Sequence, residues 1–190
     1  MNEKLRTARR DERNVPDEQQ LLIRESNPVD AAAIAEIYNH YILNTLVTFE
    51  TEAVTAEEIR NRMEGVSSLS LPWIIAEWEG EVAGYAYANR FHSRAAYAKT
   101  AETTVYLHPS HCGRGIGSRL YRRLLDLVSL TPIHTVIGAI ALPNEPSEQL
   151  HERLGFKKVG HFHEVGLKFD KRIDVGFWQR MDSRRSLRRS

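Results

Sequence analysis

The sequence predicts one domain of the α/β (α+β) class, in which helices flank a single mixed β-sheet. Its 190 residues are enough for one compact domain and short for two independent cores. Hydrophobic residues make up 42% of the chain and charged residues 27%, which is typical of a folded globular protein. The predicted elements follow the order β-α-α-β-β-β-α-β-α-β-β, and this order favours one sheet covered by helices.

The two ends of the chain differ in composition from its centre. Residues 1–20 are almost wholly polar and predict a disordered leader. Residues 183–190 contain four arginines and no acidic residue, which predicts a flexible basic tail. The folded domain is therefore expected at residues 21–182.

The composition of the whole chain excludes several classes of function. A formal net charge of +1 provides no basic field for nucleic acid, and no apolar run approaches the roughly 20 residues that cross a bilayer. No signal-peptide pattern is present either, so a cytoplasmic protein is expected. Cys112 is the only cysteine, which excludes an internal disulfide and a cysteine-based metal cluster.

The predicted elements begin with a strand over 21–26 and a helix that starts at Asn27-Pro28. Asparagine caps a helix well, and proline suits the first helical position because it needs no hydrogen-bond donor there. One buried helical face is indicated by the 3/4 spacing of Ile34, Ile37, Tyr38, Tyr41 and Ile42. Residues 47–50 (VTFE) predict a short strand.

The middle of the chain predicts a second helix and a β-hairpin. Thr55 and Glu58 form a capping-box pattern, which starts a helix that continues to about Ser67. Aromatic and β-branched residues around Glu79-Gly80 predict a hairpin. A loop, strands and helices then alternate, with strands at 102–108, 133–142, 156–165 and 174–181, one helix after the glycine-rich turn and another that ends at Gly155.

The segment from Cys112 to Ser118 (CGRGIGS) predicts a phosphate site. Its glycines lie between a strand and a helix, where backbone N–H groups and the helix N-terminus favour an anion. The dinucleotide fingerprint G-x-G-x-x-G fails because Ser118 occupies the sixth position, and the P-loop fails because no Gly-Lys follows. A tight strand–helix corner without a ligand remains the alternative.

Four segments in the same order resemble phosphinothricin N-acetyltransferases of the GNAT superfamily. They are 38–52 (YNHYILNTLVTFETE), 101–121 (AETTVYLHPSHCGRGIGSRLY), 141–156 (ALPNEPSEQLHERLGF) and 165–180 (VGLKFDKRIDVGFWQR), and the resemblance covers about residues 20–182. It implies a mostly antiparallel sheet with helices on both faces, acetyl-CoA as co-substrate, a small-molecule amine as acceptor, and a homodimer. The pattern departs from the family at Cys112, Leu167 and Arg172.

The resemblance also assigns roles to individual residues. The strand before the glycine turn would bind the pantetheine arm through its backbone, and the turn would hold the pyrophosphate. The cofactor-binding residues so implied are Val105, Tyr106, Leu107, Gly113, Arg114, Gly115, Ile116, Gly117, Ser118 and Asn144.

Two residues are predicted to be catalytic. Acetyl transfer from a thioester to an amine needs a base for the amine and a proton for the departing thiolate. The resemblance implies that Glu102 is the base, acting through a water, although a solvated glutamate at a strand edge would look the same. His151 follows Asn144 by about two helical turns, and the resemblance implies that it protonates the thiolate. An ordinary interior or surface histidine is the alternative.

The acceptor site is predicted from aromatic and cationic residues. An amino-acid analogue needs aromatic walls and a cation for its acidic groups, which Phe49, Tyr97, Arg90 and Arg94 can supply. Either arginine is otherwise a solvated loop charge. His161 and His163 would share one strand face, but the sequence indicates no third ligand, so no metal is expected.

Three functions remain open at this stage. The first is acetylation of the α-amino group of a small amino-acid analogue, of the phosphinothricin, methionine sulfoximine or methionine sulfone type. The second is acetylation of a different amine, such as an ordinary amino acid or a peptide N-terminus. The third is a non-catalytic acyl-CoA-binding module.

Overall fold

A seven-stranded β-sheet forms the centre of the protein, in a computed structural model that describes residues 20–182. The strands are β1 (Leu21–Glu25), β2 (Trp73–Trp78), β3 (Glu81–Arg90), β4 (Thr100–Leu107), β5 (Thr135–Leu142), β6 (Lys157–Lys168) and β7 (Lys171–Met181). Their spatial order is β1-β2-β3-β4-β5-β7-β6. Every neighbouring pair is antiparallel except β4 and β5, which are parallel, so the expected mixed and mostly antiparallel sheet is confirmed.

Four helices cover the sheet: α1 (Ala31–Asn44), α2 (Ala56–Ser68), α3 (Ile116–Val128) and α4 (Glu145–Arg153). The helix starts predicted from local sequence are confirmed. Asn27 caps a short 3-10 turn that leads into α1, and its Oδ1 accepts a hydrogen bond from Val29 N at 3.0 Å. Thr55 and Glu58 form the predicted capping box at the start of α2. In the part of the chain that is described, no helix is long and apolar enough to cross a membrane.

The helices bury two hydrophobic cores on opposite faces of the sheet. One core lies under α1 and α2 and includes Ile34, Ile37, Ile59, Ile75 and Tyr85. The other lies under α3 and α4 and includes Leu120, Leu124, Leu154, Ala86 and Trp178. Because side chains alternate along a strand, each strand residue contributes to one core only. The face on which a functional residue lies is thereby decided by its position in the strand.

Three details differ from the sequence prediction. The predicted strand over 47–50 is wrong, since this segment forms no ladder. Its polar groups bond elsewhere instead: the Thr48 carbonyl accepts a hydrogen bond from Lys168 Nζ, and Thr48 Oγ1 lies 2.8 Å from the hydroxyl of Tyr38. Strand β4 begins at Thr100, inside the predicted loop, and β6 extends beyond 165 to Lys168. The predicted leader and basic tail lie outside the described residues, apart from Gln20.

Candidate active site

The candidate site lies where β4 and β5 stop pairing. Their parallel ladder ends at Glu102 and Ile137, although β4 continues to Leu107 and β5 to Leu142. Beyond that point β4 remains paired with β3 on one side only. Backbone groups on its β5-facing edge are therefore free of the ladder and suited to bind an extended, amide-containing ligand.

Glu102 lies at the end of this ladder and is only partly exposed. Burial raises the pKa of its carboxyl above the usual range. On β3 its cross-strand partner is Asn89, and its negative charge acts on Tyr87. Glu102 thus lies at the opening between β4 and β5, and its carboxyl holds a proton more readily than a solvated carboxyl does.

Aromatic rings line the face of the sheet to which Glu102 belongs, under α1 and α2. Tyr106 follows Glu102 on the same face of β4, and its ring centroid lies 5.2 Å from that of Tyr38 and 4.9 Å from that of Tyr41. Tyr85 and Tyr87 on β3 extend this cluster, with ring centroids 6.3 Å apart. The rings provide an apolar surface on this face, of a kind that a small organic molecule can contact.

A polar network holds the loop between α1 and α2 beside these rings. Arg62 donates two hydrogen bonds to the Glu50 carboxylate, at 2.8 and 2.9 Å, and Tyr38 donates a third at 2.8 Å. Burial alone would raise the pKa of Glu50, but the hydrogen bonds from Arg62 and Tyr38 hold it below its usual range. The carboxylate is therefore ionised, and it fixes the loop that carries Phe49.

Lys168 anchors the same loop from β6. Its side chain is buried, with the residue 2% exposed, and Nζ donates a hydrogen bond of 2.8 Å to the carbonyl of Thr48. Burial lowers the pKa of Lys168, while the charge of Glu50 opposes that effect. The ring of Phe49 lies over Gly166, where any added Cβ would collide with it. Phe49 is thereby held at the loop surface and is 42% exposed.

His151 lies on the other face of the sheet, inside the core. It is 4% exposed and packs against Gly138 of β5, where a Cβ would overlap its Nε2. Nδ1 lies 2.8 Å from the Ser147 carbonyl, and Nε2 lies 3.1 Å from the hydroxyl of Tyr121. Burial lowers the pKa of His151 and so favours the neutral ring. The Ser147 carbonyl can only accept, so the proton of the neutral ring belongs on Nδ1, and Nε2 accepts from Tyr121.

The hydrogen-bonded chain continues from Tyr121 to the separation of the strands. The Tyr121 hydroxyl lies 2.7 Å from Thr103 Oγ1, which in turn lies 3.4 Å from the carbonyl of Ile137. Because Tyr121 donates to His151, Thr103 donates its one proton to Tyr121, and its Oγ1 only contacts the carbonyl of Ile137, the last β5 residue of the ladder. This buried chain, which we call the Thr103–Tyr121–His151 chain, links β4, α3 and α4 beneath the opening.

The glycine-rich turn has the geometry of an anion site. Gly113 and Gly115 adopt φ of +78° and +77°, a conformation that glycine reaches without strain, and Gly115 caps α3. The first helical bond of α3 is donated by Arg119 to the Gly115 carbonyl. The N–H groups of Ile116, Gly117 and Ser118 precede it and so lack helical partners, as a phosphate site requires.

Other predicted cofactor-binding residues lie around this turn in different ways. The guanidinium of Arg114 stacks on Trp78, 5.8 Å from the ring centroid. The Leu107 carbonyl already accepts a hydrogen bond of 2.6 Å from Tyr41, and the Leu107 side chain packs toward α3. Val105 packs on the α3/α4 core through its side chain, which leaves only its backbone for a ligand. Asn144 caps α4, with Oδ1 accepting from Ser147 N at 3.3 Å.

Phe49 stands apart from the other predicted acceptor residues. Arg90 occupies the strand position after Asn89, so alternation directs it to the face opposite Glu102. Arg94 is exposed, and Tyr97 packs edge-on against Phe91 with ring centroids 5.7 Å apart. Within residues 20–182, no recorded contact joins Arg90, Arg94 or Tyr97 to Glu102 or Phe49. The structure therefore brings Phe49 to the α1/α2 face and leaves the other three on the exposed loop and its edge.

Sequence reasoning missed several residues that the fold brings to the site. These are Tyr38, Glu50, Arg62, Tyr87, Thr103, Tyr121 and Lys168. Tyr38 and Tyr121 occupy ordinary apolar positions of their helices, so periodicity identifies them as core only. A buried lysine cannot be distinguished from an exposed one by sequence pattern, because its partner is far away in the chain.

The sequence is similar to those of known acetyltransferases. A family model described as an acetyltransferase (GNAT) domain matches residues 23–176. A phosphinothricin N-acetyltransferase of Streptomyces viridochromogenes is 41% identical over 165 residues, which span 87% of this chain and 90% of that protein. An L-methionine sulfoximine/L-methionine sulfone acetyltransferase of Salmonella typhimurium is 34% identical, over 84% of this chain and 93% of that protein.

Solved structures show the same relationship. The structure of YncA from Salmonella typhimurium, determined with its cofactor acetyl-CoA, has a TM-score of 0.84 to this protein at 33% sequence identity. The match covers 86% of this chain and 95% of the YncA chain. With a matching family model over most of its length and relatives of this similarity, the chain belongs to the GNAT family of acetyltransferases.

Proposed function

We propose that the protein transfers the acetyl group of acetyl-CoA to the α-amino group of a small amino-acid analogue, of the phosphinothricin, methionine sulfoximine or methionine sulfone type. The observation that carries this proposal is Glu102: a partly buried carboxylate at the opening between β4 and β5, on the tyrosine-lined face of the sheet. The activities named for the two relatives support the choice of acceptor.

The residues divide the work of the reaction between the two faces of the sheet. When bound, acetyl-CoA supplies a thioester carbonyl as the electrophile. The free edge of β4 and the N–H groups at the start of α3 fit its pantetheine amides and pyrophosphate. Glu102 accepts one proton of the substrate ammonium through a water, so that the nitrogen lone pair can attack the thioester carbonyl. As the C–N bond forms and the C–S bond breaks, the acylated nitrogen releases its second proton, and the departing thiolate takes up a proton through solvent and leaves as the thiol.

We assign the Thr103–Tyr121–His151 chain a positioning role in place of the proton donation predicted for His151. Both ring nitrogens of His151 are engaged inside the protein, and the residue is buried. A fixed Thr103 holds β4 at the point where it leaves β5, which sets the width of the opening beside Glu102.

The loop held by Lys168 and Arg62 supports specificity for a small acceptor. Phe49 forms one wall, and the carboxylate of Glu50 lies at the same loop. Arg90, Arg94 and Tyr97 stay predictions as substrate residues. Homodimer assembly and herbicide resistance likewise stay predictions from the resemblance, and a cytoplasmic location stays a prediction from the lack of a signal-peptide pattern.

The proposal is tested by steady-state kinetics with acetyl-CoA and a panel of amines. The panel contains L-phosphinothricin, L-methionine sulfone, L-methionine and a short peptide with a free N-terminus. We expect the highest kcat/KM for the first two. Comparable kcat/KM on plain amino acids or the peptide, with no turnover of the first two, would show that the acceptor is a different amine.

A variant pair separates an enzyme from a binding module. Glu102→Gln removes the proposed base, whereas Glu81→Gln changes an exposed glutamate at the start of β3 as a control. We expect only the first to lower kcat, with acetyl-CoA binding kept in both. Wild-type protein that binds acetyl-CoA but acetylates no amine of the panel would support the non-catalytic module.

A further inference from the structure

Two histidines and an aspartate that have no role in the proposed acetyl transfer converge on the β6–β7 hairpin. His161 Nε2 lies 2.7 Å from Oδ2 of Asp174, and His163 Nδ1 lies 3.0 Å from the same oxygen. One potential ligand atom from each residue lies within 4.8 Å of the others. The sequence indicated no third ligand for the histidine pair, and the fold supplies one from the neighbouring strand.

The backbone holds this cluster in place. The ladder between β6 and β7 is irregular between Phe162 and Gly166, and Glu164 has φ of +52° within that stretch. Oδ1 of Asp174 accepts a hydrogen bond of 2.8 Å from Glu164 N, which orients the carboxylate and leaves Oδ2 directed at the two rings. The imidazole centroids are 4.2 Å apart. An oriented carboxylate next to two imidazoles matches the way in which outer hydrogen bonds prepare metal ligands.

We propose that His161, His163 and Asp174 form a binding site for a divalent first-row transition cation such as Zn²⁺. Two imidazole nitrogens and one carboxylate oxygen are a ligand set that zinc favours, with water completing a tetrahedral shell. The side chains are 35%, 76% and 30% exposed, so the cation can enter from solvent and keep its water. The site is independent of the acetyl-transfer proposal, because none of its ligands belongs to that machinery.

Binding exchanges protons for the cation at the two ring nitrogens that face Asp174. Without a cation, each of these nitrogens carries a proton and donates it to Oδ2. To bind the cation they must present lone pairs, so the ring protons then belong on His161 Nδ1 and His163 Nε2. Oδ1 of Asp174 is already used by Glu164 N, which leaves Oδ2 as the carboxylate ligand.

The test is calorimetric titration of the chelator-treated full chain with ZnCl₂, without acetyl-CoA, whose phosphates also bind cations. We expect one Zn²⁺ per chain and little heat from MgCl₂. His163→Gln and Asp174→Asn should each weaken zinc binding by about tenfold or more. His40→Gln, which changes an exposed histidine on α1, should leave it unchanged. Asparagine at 174 keeps an oxygen for Glu164 N, so this variant removes the charge and not the fold.

Each outcome bears on the proposal. Loss of binding in both site variants, with thermal unfolding of the metal-free proteins close to wild type, supports the three-ligand site. Unchanged affinity in Asp174→Asn would overturn it in favour of binding by the histidine pair alone. Wild-type protein without saturable zinc binding, or with the same affinity in all variants, would overturn it altogether.

Discussion

The hydroxyl group of Tyr121 on α3 contacts side chains of β4 and α4, and its removal gives a quantitative prediction. Tyr121 is fully buried, and its hydroxyl lies between Thr103 Oγ1 at 2.7 Å and His151 Nε2 at 3.1 Å. Tyr121→Phe deletes the hydroxyl and leaves the ring packing in place. The buried Nε2 acceptor then has no donor, which costs about 1–3 kcal/mol. Thr103 keeps its 3.4 Å contact with the carbonyl of Ile137, so little further cost is expected there.

We therefore expect Tyr121→Phe to lower the free energy of unfolding by about 2 kcal/mol. For a chain of this size each kcal/mol corresponds to roughly 2–4 °C in Tm, so the melting temperature should fall by roughly 4–8 °C. Urea denaturation and differential scanning calorimetry measure the two quantities independently.

The matched control is Tyr97→Phe, which deletes the hydroxyl of a partly exposed tyrosine. It should change the free energy of unfolding by less than about 0.5 kcal/mol. If Tyr121→Phe were as stable as this control, the hydrogen bonds of the Thr103–Tyr121–His151 chain would contribute nothing, and the positioning role assigned to His151 would be refuted.

Four other predictions concern the site. Glu102→Gln should lower kcat by about 10²–10⁴-fold. Because burial raises the pKa of Glu102, the pKa read from the acid limb of the wild-type kcat/KM profile against pH should lie above the usual glutamate range. Gly115→Ala forces a non-glycine residue to φ of +77°, at a cost of about 1–2 kcal/mol, and should raise the KM for acetyl-CoA by about tenfold. Lys168→Met removes the hydrogen bond to the carbonyl of Thr48, next to Phe49, which we propose as a wall for the acceptor. The KM for the amine should rise by about fivefold, and the KM for acetyl-CoA should change less. Because burial lowers the pKa of His151 in the folded protein, the unfolded chain takes up the proton at a higher pH than the folded chain. The free energy of unfolding should therefore fall as the pH drops below about 6.5, by at most about 1.4 kcal/mol per pH unit. Urea titrations at several pH values measure this dependence, which His151→Gln should lose.

Controls for these variants come from the same chain. Gly65→Ala changes a glycine within α2 that has open space around its Cβ position, and it should stabilise the protein by about 0.5–1 kcal/mol without changing either KM. If Gly115→Ala left the acetyl-CoA KM unchanged, the turn would be only a tight corner. A flat pH profile for Glu102→Gln and wild type alike, with equal kcat, would remove the base role from Glu102.

Local hydrogen bonding explains which elements the sequence could predict. The capping box of Thr55 and Glu58 joins residues three positions apart, and Asn27 accepts from a neighbour two positions away. Such interactions depend on adjacent side chains, so the start of each helix follows from the sequence. The prediction of a strand over 47–50 (VTFE) was wrong for the opposite reason. The carbonyl of Thr48 accepts a hydrogen bond from Lys168, 120 positions away, and the segment is not part of the sheet.

The candidate site likewise combines residues that the sequence predicts with residues that only the fold brings together. The sequence predicts the glycine turn and Glu102, since the turn requires particular residues at fixed spacing and the resemblance covers both. Alternation along β4 then placed Glu102 and Thr103 on opposite faces, and burial took His151 into the core. A pattern that identifies a histidine on a helix does not say which of its neighbours occupies its nitrogens.

The sequence by itself determined the class of fold, the order of elements, the helix caps, the glycine turn before α3 and the family resemblance, because each depends on residues close together in the chain. Tertiary structure decided which side chains meet. It placed Lys168 under the loop that carries Thr48 and Phe49, Tyr121 between Thr103 and His151, and Asp174 against two histidines of β6. The first two contacts join segments far apart in the chain, and the third depends on the irregular register of the β6–β7 hairpin. Side-chain pattern specifies neither, because both depend on how the strands and helices pack against one another.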